Sequence, residues 1–329
     1  MRRRMVLLLT AAVVSGMVLS AYIPARAAEL PAKGRSVSVI VPFAAGGGTD
    51  VAARLLASLM EKDLGVQVQI VNKPGAGSQV GVTALATAKP DGYTIGVTPF
   101  PHTISTYLDP ERKAVFSRRS FEPIGFYMVN PVIASVAADS PYKTLKELVG
   151  AAKANPGKIK IGHTGGLSSF ELGMLMFQRV AGIQLAAVQF DGGAPILTAT
   201  LGGHIDIALN ITPEVVGFIK GGQVRGLGVM DKVESKFLPG IKTFESQGYP
   251  VMATSPVGLS APAGTPKEIV AILAASMKKS VATAEWKNKM DELGFTMLMP
   301  DPAEYAATWG EWETLVKPLV EMAKQQRGK

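Results

Sequence analysis

A strand that runs into a glycine-rich turn and then directly into a helix occurs twice in this chain, and no other feature limits the fold as much. Val37-Ser38-Val39-Ile40-Val41 is a β-branched run, and Pro42-Phe43-Ala44-Ala45-Gly46-Gly47-Gly48 follows it. Thr49-Asp50 then opens a segment whose Ala52, Leu55, Leu56, Leu59 and Met60 share one helical face up to Gly65. The second copy reads Ile161-Gly162-His163, then Thr164-Gly165-Gly166-Leu167-Ser168-Ser169 and a helix. The first turn of a helix carries N–H groups with no intrahelical acceptor, and glycine lets another molecule approach them. The macrodipole adds about 0.3–1 kcal/mol for a negative charge there. Each turn alone also reads as an ordinary βα turn capped by Thr49 or Ser168, with Asp50 and Glu171 serving only the helix dipole. Two such turns facing one cleft argue for an anion held between them.

Strand and helix signals alternate along the rest of the chain, which predicts an α/β protein with mostly parallel sheets. Strands are expected at 66–71 and 94–98, with a helix after Pro74-Gly75 between them. The pattern then gives helix 143–154, strand 158–162, helix 168–181, strand 184–190, helix 194–202, strand 205–211, helix 213–221 and strand 224–229. Near the end, Tyr305, Trp309, Trp312, Val316 and Leu319 step by four and three, a stripe that must face apolar surface, and Pro318 is expected to kink that helix. Pro131–Pro141 and Pro250–Pro266 look like two crossings between lobes. They divide the chain into lobe 1 (28–133 and 252–329) and lobe 2 (134–251), with a hinge and a cleft between them.

The 329 residues are enough for two cores, and the absence of cysteine removes thiol catalysis, iron–sulfur clusters, cysteine-ligated zinc and lipidation at a cleavage site. His102, His163 and His204 have no metal-ligand spacing. Arg2-Arg3-Arg4, the apolar run from Met5 to Leu19 and Ala25-Arg26-Ala27 form a secretory signal over residues 1–27. A retained anchor is the alternative, disfavoured because the run is short for a membrane span. Without that segment the formal charge falls from +8 to +4, with 30 basic against 26 acidic residues, scattered rather than clustered. Nucleic-acid binding therefore has no footprint here. Gly75-Ala76-Gly77-Ser78-Gln79-Val80 misses the dinucleotide pattern by having valine where a glycine is needed, and shapes a wall instead. No G-x-S-x-G is present, and two S-x-x-K matches lack their companion elements, so no enzyme, cofactor or metal is expected.

Several blocks together resemble the substrate-binding subunits of tripartite tricarboxylate transporters, the Bug receptors. They are Val41-Pro42-Phe43 with Gly46-Gly47, Asp50 and Arg54, then Asn72-Lys73-Pro74-Gly75-Ala76-Gly77 and Lys89-Pro90-Asp91-Gly92-Tyr93-Thr94. Gly165 with Ser168-Ser169 and Leu201-Gly202-Gly203-His204-Ile205-Asp206 complete the set. The resemblance implies a two-lobed periplasmic-binding-protein fold of type II, a Venus flytrap with two interdomain crossings. It implies a monomeric periplasmic receptor that captures a small carboxylate and delivers it to one large and one small integral membrane subunit. Ligand contacts then fall on Phe43, Ala45, Gly46, Gly47, Thr49 and Asp50 in lobe 1, and on Thr164, Gly165, Gly166, Ser168, Ser169, Phe190 and Asp191 in lobe 2.

The chain departs from the family pattern at Phe170, where a histidine is common, and at Phe190-Asp191-Gly192, where the family commonly has a cation. Asp191 should disfavour a second carboxylate and favour an amine, hydroxyl or amide, unless it points to solvent or caps the next helix. Phe43, Phe100 and Phe190 would suit an aromatic ligand. A ligand sensor that signals to a membrane kinase and an exported α/β hydrolase are the competing readings.

Overall fold

The β-branched runs and helical stripes alternate as their periodicities require: β1 (Val37–Val41), α1 (Gly48–Leu64), β2 (Val68–Asn72), α2 (Gln79–Ala86), β3 (Thr94–Pro99) and α3 (His102–Leu108). The structure is a computed structural model and describes residues 34–190, 192–299 and 301–327. The expected signal segment and Asp191 lie outside the described residues. Two 3-10 turns, Pro110–Arg112 and Arg118–Ser120, lead into β4 (Phe121–Ala137). Then come α4 (Leu145–Ala154), β5 (Lys160–Thr164), α5 (Ser169–Ala181), β6 (Ala186–Phe190), α6 (Gly193–Leu201), β7 (Ile207–Ile211), α7 (Thr212–Lys220) and β8 (Val224–Val229). The chain closes with β9 (Thr254–Pro262), α8 (Lys267–Ala282), α9 (Ala284–Leu293), β10 (Thr296–Met297) and α10 (Pro302–Arg327).

The strands lie in the order β2-β1-β3-β9-β4-β7-β5-β6, with β8 and β10 also paired to β4. β1 runs parallel to β2 and β3, and β5 runs parallel to β6 and β7. Every pairing made by β4 or β9 is antiparallel, so the sheet is mixed rather than mostly parallel. The cause is β4, a strand of 17 residues. Its Phe121–Pro131 part pairs with β9, and its Val132–Ala137 part pairs with β7 and β8. Sequence reading missed this strand because Pro123, Gly125 and Pro131 punctuate it. A shift of register against β9 at Pro123–Gly125 absorbs two of those interruptions, and a second shift follows at Phe126–Met128.

The aromatic stripe of α10 packs inward as its spacing demands: Tyr305, Trp309, Val316 and Leu319 are buried, and Trp312 packs against them. Phe100 lies at the centre of this cluster, 4.9 Å from the Trp309 ring, 5.3 Å from Phe126 and 5.6 Å from Tyr305. Its side chain is fully enclosed, which removes Phe100 from the aromatic residues expected at a ligand. The Trp309 indole N–H donates to the Tyr107 hydroxyl at 2.9 Å, so the one polar atom of that ring is not stranded. α10 continues through Pro318 to Arg327.

Candidate functional site

The first glycine-rich turn is built around a carboxylate that faces inward. Asp50, the third residue of α1, is 1% exposed, and its oxygens accept from the Gly46 N–H at 2.8 Å, the Arg54 Nε at 2.9 Å and the Asn72 Nδ2 at 2.8 Å. The same Asn72 amide reaches the Phe43 carbonyl at 3.1 Å. Burial pushes the Asp50 carboxyl up, but the donors Arg54, Gly46 and Asn72 outweigh it and hold the group below the usual aspartate value. The side chain therefore shapes the turn from behind.

What the turn presents outward is backbone. Ala44, Ala45, Gly46 and Gly47 are exposed, and Phe43, Gly48 and Thr49 are half-buried. Gly47 is the N-cap of α1, and no side chain caps the helix there. Gly47 has φ −74° and ψ 163°, an extended conformation open to any residue. A β-carbon on it would meet only the Ala44 carbonyl, at 3.7 Å. The fold does not require glycine at this position, although Asp or Ser would stabilise the helix better. Its consequence is an uncapped, accessible helix tip.

The second turn is arranged differently. Ser168 is the N-cap of α5, and its hydroxyl accepts from the Glu171 N–H at 3.2 Å while donating to the Thr164 carbonyl. The Thr164 hydroxyl donates to Ser168 Oγ at 2.8 Å, and the Glu171 carboxylate accepts from the Leu167 N–H at 2.7 Å. Ser168 and Ser169 are buried; Thr164, Gly165 and Gly166 are half-buried. Burial lowers the pKa of the neighbouring His163, opposed by the Glu171 charge. Phe190 ends β6 in register with Thr164 and is half-buried.

Around these turns stand residues that sequence reading did not select. A β-carbon on Gly48 would lie 3.3 Å from Phe295 Cζ and 3.9 Å from Ile211 Cδ1, so the α1 tip faces the β7–α7 junction and the turn before β10. At that junction Glu214 accepts from Asn210 Nδ2 at 3.1 Å and the Ile211 N–H at 3.2 Å, and burial raises its pKa against both. Asn210 Nδ2 also donates to the Gly193 carbonyl at 3.0 Å, and a β-carbon on Gly193 would fall 2.0 Å from Glu214 Oε2. Asn210 Oδ1 and Thr212 Oγ1 are buried without a partner. The signal for this junction was present: Leu209-Asn210-Ile211 is a strand end, and Thr212-Pro213-Glu214 has proline and an acid in a first helical turn.

Beside the first turn, the Phe43 ring meets the edge of His102 at 5.8 Å. The His102 Nδ1 is buried and unpartnered, and burial, with Arg112 nearby, lowers its pKa to about 4. The imidazole is therefore neutral near pH 7. Ser105, one helical turn on, lies 3.1 Å from the His102 carbonyl and 3.3 Å from the Gly166 carbonyl, which connects the first turn to the second through α3. No group of three or more His, Cys, Asp or Glu suited to a metal occurs among the described residues.

A model of the family described as "Tripartite tricarboxylate transporter family receptor" matches residues 52–322. A protein of Cupriavidus necator named "UPF0065 protein in gbd 5'region" is 30% identical over 314 residues, which is 93% of this chain and 94% of the relative. The solved structure of the periplasmic binding protein BugD is 30% identical with TM-score 0.75, covering 87% of this chain and 98% of BugD. MatC from Rhodopseudomonas palustris, solved with bound malate, is 27% identical with TM-score 0.79, covering 88% of this chain and all (100%) of MatC. The α/β architecture is thus that of periplasmic binding proteins.

Proposed function

The chain belongs to the tripartite tricarboxylate transporter receptor family, and from that premise we propose that it captures a small carboxylate between two lobes in the periplasm and delivers it to one large and one small membrane subunit. Lobe 1 comprises residues 28–133 and 252–329, lobe 2 residues 134–251, and the chain passes from the first to the second within β4 and returns just before β9. In support, β4 changes partners at Pro131–Val132, from β9 to β7 and β8. Residues 1–27 direct export and are removed, and the mature protein acts as a monomer. No helix among the described residues is long and apolar enough to cross a membrane.

The observation that carries this reading is Gly47, an N-cap glycine that the backbone does not require, at an exposed helix tip that no side chain caps. The ligand carboxylate takes the place of the missing cap, contacting the backbone of Ala45, Gly46, Gly47 and Thr49 beside Phe43. Asp50 positions this turn from within. Thr164, Gly165, Gly166, Ser168, Ser169, Phe190 and Asp191 complete the site from lobe 2. Malate, bound by MatC, is the first ligand to test; hydroxy and amino monocarboxylates are the next, because Glu214, Asn210 Oδ1 and Thr212 Oγ1 offer acceptors near the α1 tip.

Calorimetric titration with this series should give binding to at least one acid, recovered chemically unchanged. Gly47→Asp supplies a cap from the protein itself, so the helix gains a few tenths of a kcal/mol while acid affinity falls by roughly tenfold or more. If no acid in the series binds, or if G47D binds as well as the parent, the helix-tip site is wrong.

A further inference from the structure

Arg112 ends the 3-10 turn that follows α3, and its guanidinium reaches two backbone carbonyls that lie far apart in sequence. Nη1 donates to the Gly166 carbonyl at 3.0 Å, in the β5–α5 turn, and Nη2 donates to the Ala76 carbonyl, in the β2–α2 turn. Gln79 steadies the arginine from the α2 side: its Nε2 donates to the Arg112 carbonyl at 2.9 Å, and its Oε1 accepts from Nε at 3.4 Å. Ser105 Oγ adds a second lobe 1 donor, 3.3 Å from the same Gly166 carbonyl.

The local backbone is shaped for this contact. Gly75, Ala76, Gly77 and Ser78 all have positive φ, at 127°, 47°, 56° and 74°, a strained path in which Ala76 and Ser78 are held against their preference. A β-carbon on Gly77 would lie 3.3 Å from Arg112 Nη2 and 3.7 Å from Gly166 Cα. One on Gly166, where φ is 76°, would stand 2.8 Å from Arg112 Nη1. The glycine at position 166 thus admits a guanidinium, and the near-miss dinucleotide loop at 75–78 serves as its second anchor.

We propose that Arg112 is a positioning residue that clasps the β2–α2 turn to the β5–α5 turn and so places the α5 tip at the ligand. The inference rests on the receptor reading and lobe division given above. A planar guanidinium donates to two carbonyls in a fixed fork, which a lysine ammonium does not reproduce. Because the contacts are internal to the protein, the clasp populates a closed arrangement before ligand arrives, and apparent affinity scales with that population.

The chain has no cysteine, so Lys89→Cys and Lys158→Cys, both exposed and one in each proposed lobe, give a spin-labelled pair for distance measurement in the mature protein. In the ligand-free state, Arg112→Ala should shift the label distances to longer and broader values while the far-ultraviolet spectrum is retained. Its affinity for whichever acid the parent binds should fall by roughly tenfold. Arg112→Lys, which keeps the charge, should recover only part of both effects. Unchanged ligand-free distances in R112A, or full recovery in R112K, would overturn the clasp. Failure of the parent to bind any acid would instead overturn the receptor reading and leave the ligand-free measurement to judge the clasp by itself.

Discussion

His102 is one of three histidines in the chain, and its sequence neighbours, Pro101 and Thr103, give no hint of a role. The fold sets it against Phe43 and buries Nδ1, and the positive charge of Arg112 adds to the penalty on protonation. Its pKa drops from 6.5 to about 4, so the unfolded chain takes up this proton first as pH falls. Between those values stability falls with falling pH, because the unfolded state binds the proton that the folded state refuses. His102→Asn should flatten that part of the acid limb, read as urea midpoints at pH 7, 6 and 5; an unchanged slope would place the titration elsewhere. Asp50 teaches the complementary lesson. Its place in the first turn of a helix was legible, whereas its enclosure by Gly46, Arg54 and Asn72 required the pairing of β1 with β2, which brings Asn72 alongside Val41.

At the scale of elements, the two glycine-rich turns that look alike in sequence are capped differently. Ser168 caps α5 with its own hydroxyl, whereas the N-cap of α1 is Gly47, with no side-chain cap, and Thr49 sits inside the helix. Ser168→Ala should therefore cost about 1 kcal/mol in chemical denaturation, and Thr49→Ala only a few tenths. Equal losses in the two variants would mean that Thr49 caps after all. Helix starts and stripes were readable because capping and amphipathicity act within a few residues. β4 was not, because a strand with two prolines becomes stable only through the partners that cover it. α3, seven residues long, likewise takes its stability from packing, with Ile104 in the core and Ser105 beneath Gly166.

For the whole molecule, β4 is one continuous strand serving both halves of the sheet, and one apolar cluster contains Ile40 and Trp309 together with Leu148, Phe177 and Leu209. Unfolding either proposed lobe would strip half of β4 of its partners. A single cooperative transition is expected. All three tryptophans, Trp286, Trp309 and Trp312, lie in α9 and α10, so fluorescence reports the proposed lobe 1 while far-ultraviolet dichroism reports both proposed lobes. The two probes should give coincident urea midpoints, and separated midpoints would show lobes that fold independently.

From sequence alone came the α/β class, the two strand–turn–helix units, the inward stripe of α10 and, through blocks of matching residues, the family. Each depends on periodicity or turn chemistry within a short stretch, where the chain's preferences act on neighbouring residues. Tertiary structure alone decided that β4 spans the sheet, that Phe100 belongs to the core, that Phe295 and Ile211 face the α1 tip, and that Arg112 meets Gly166. Those contacts join residues tens to hundreds of positions apart. They arise only when burial of apolar surface forces distant segments together, and no local preference records which segments those will be.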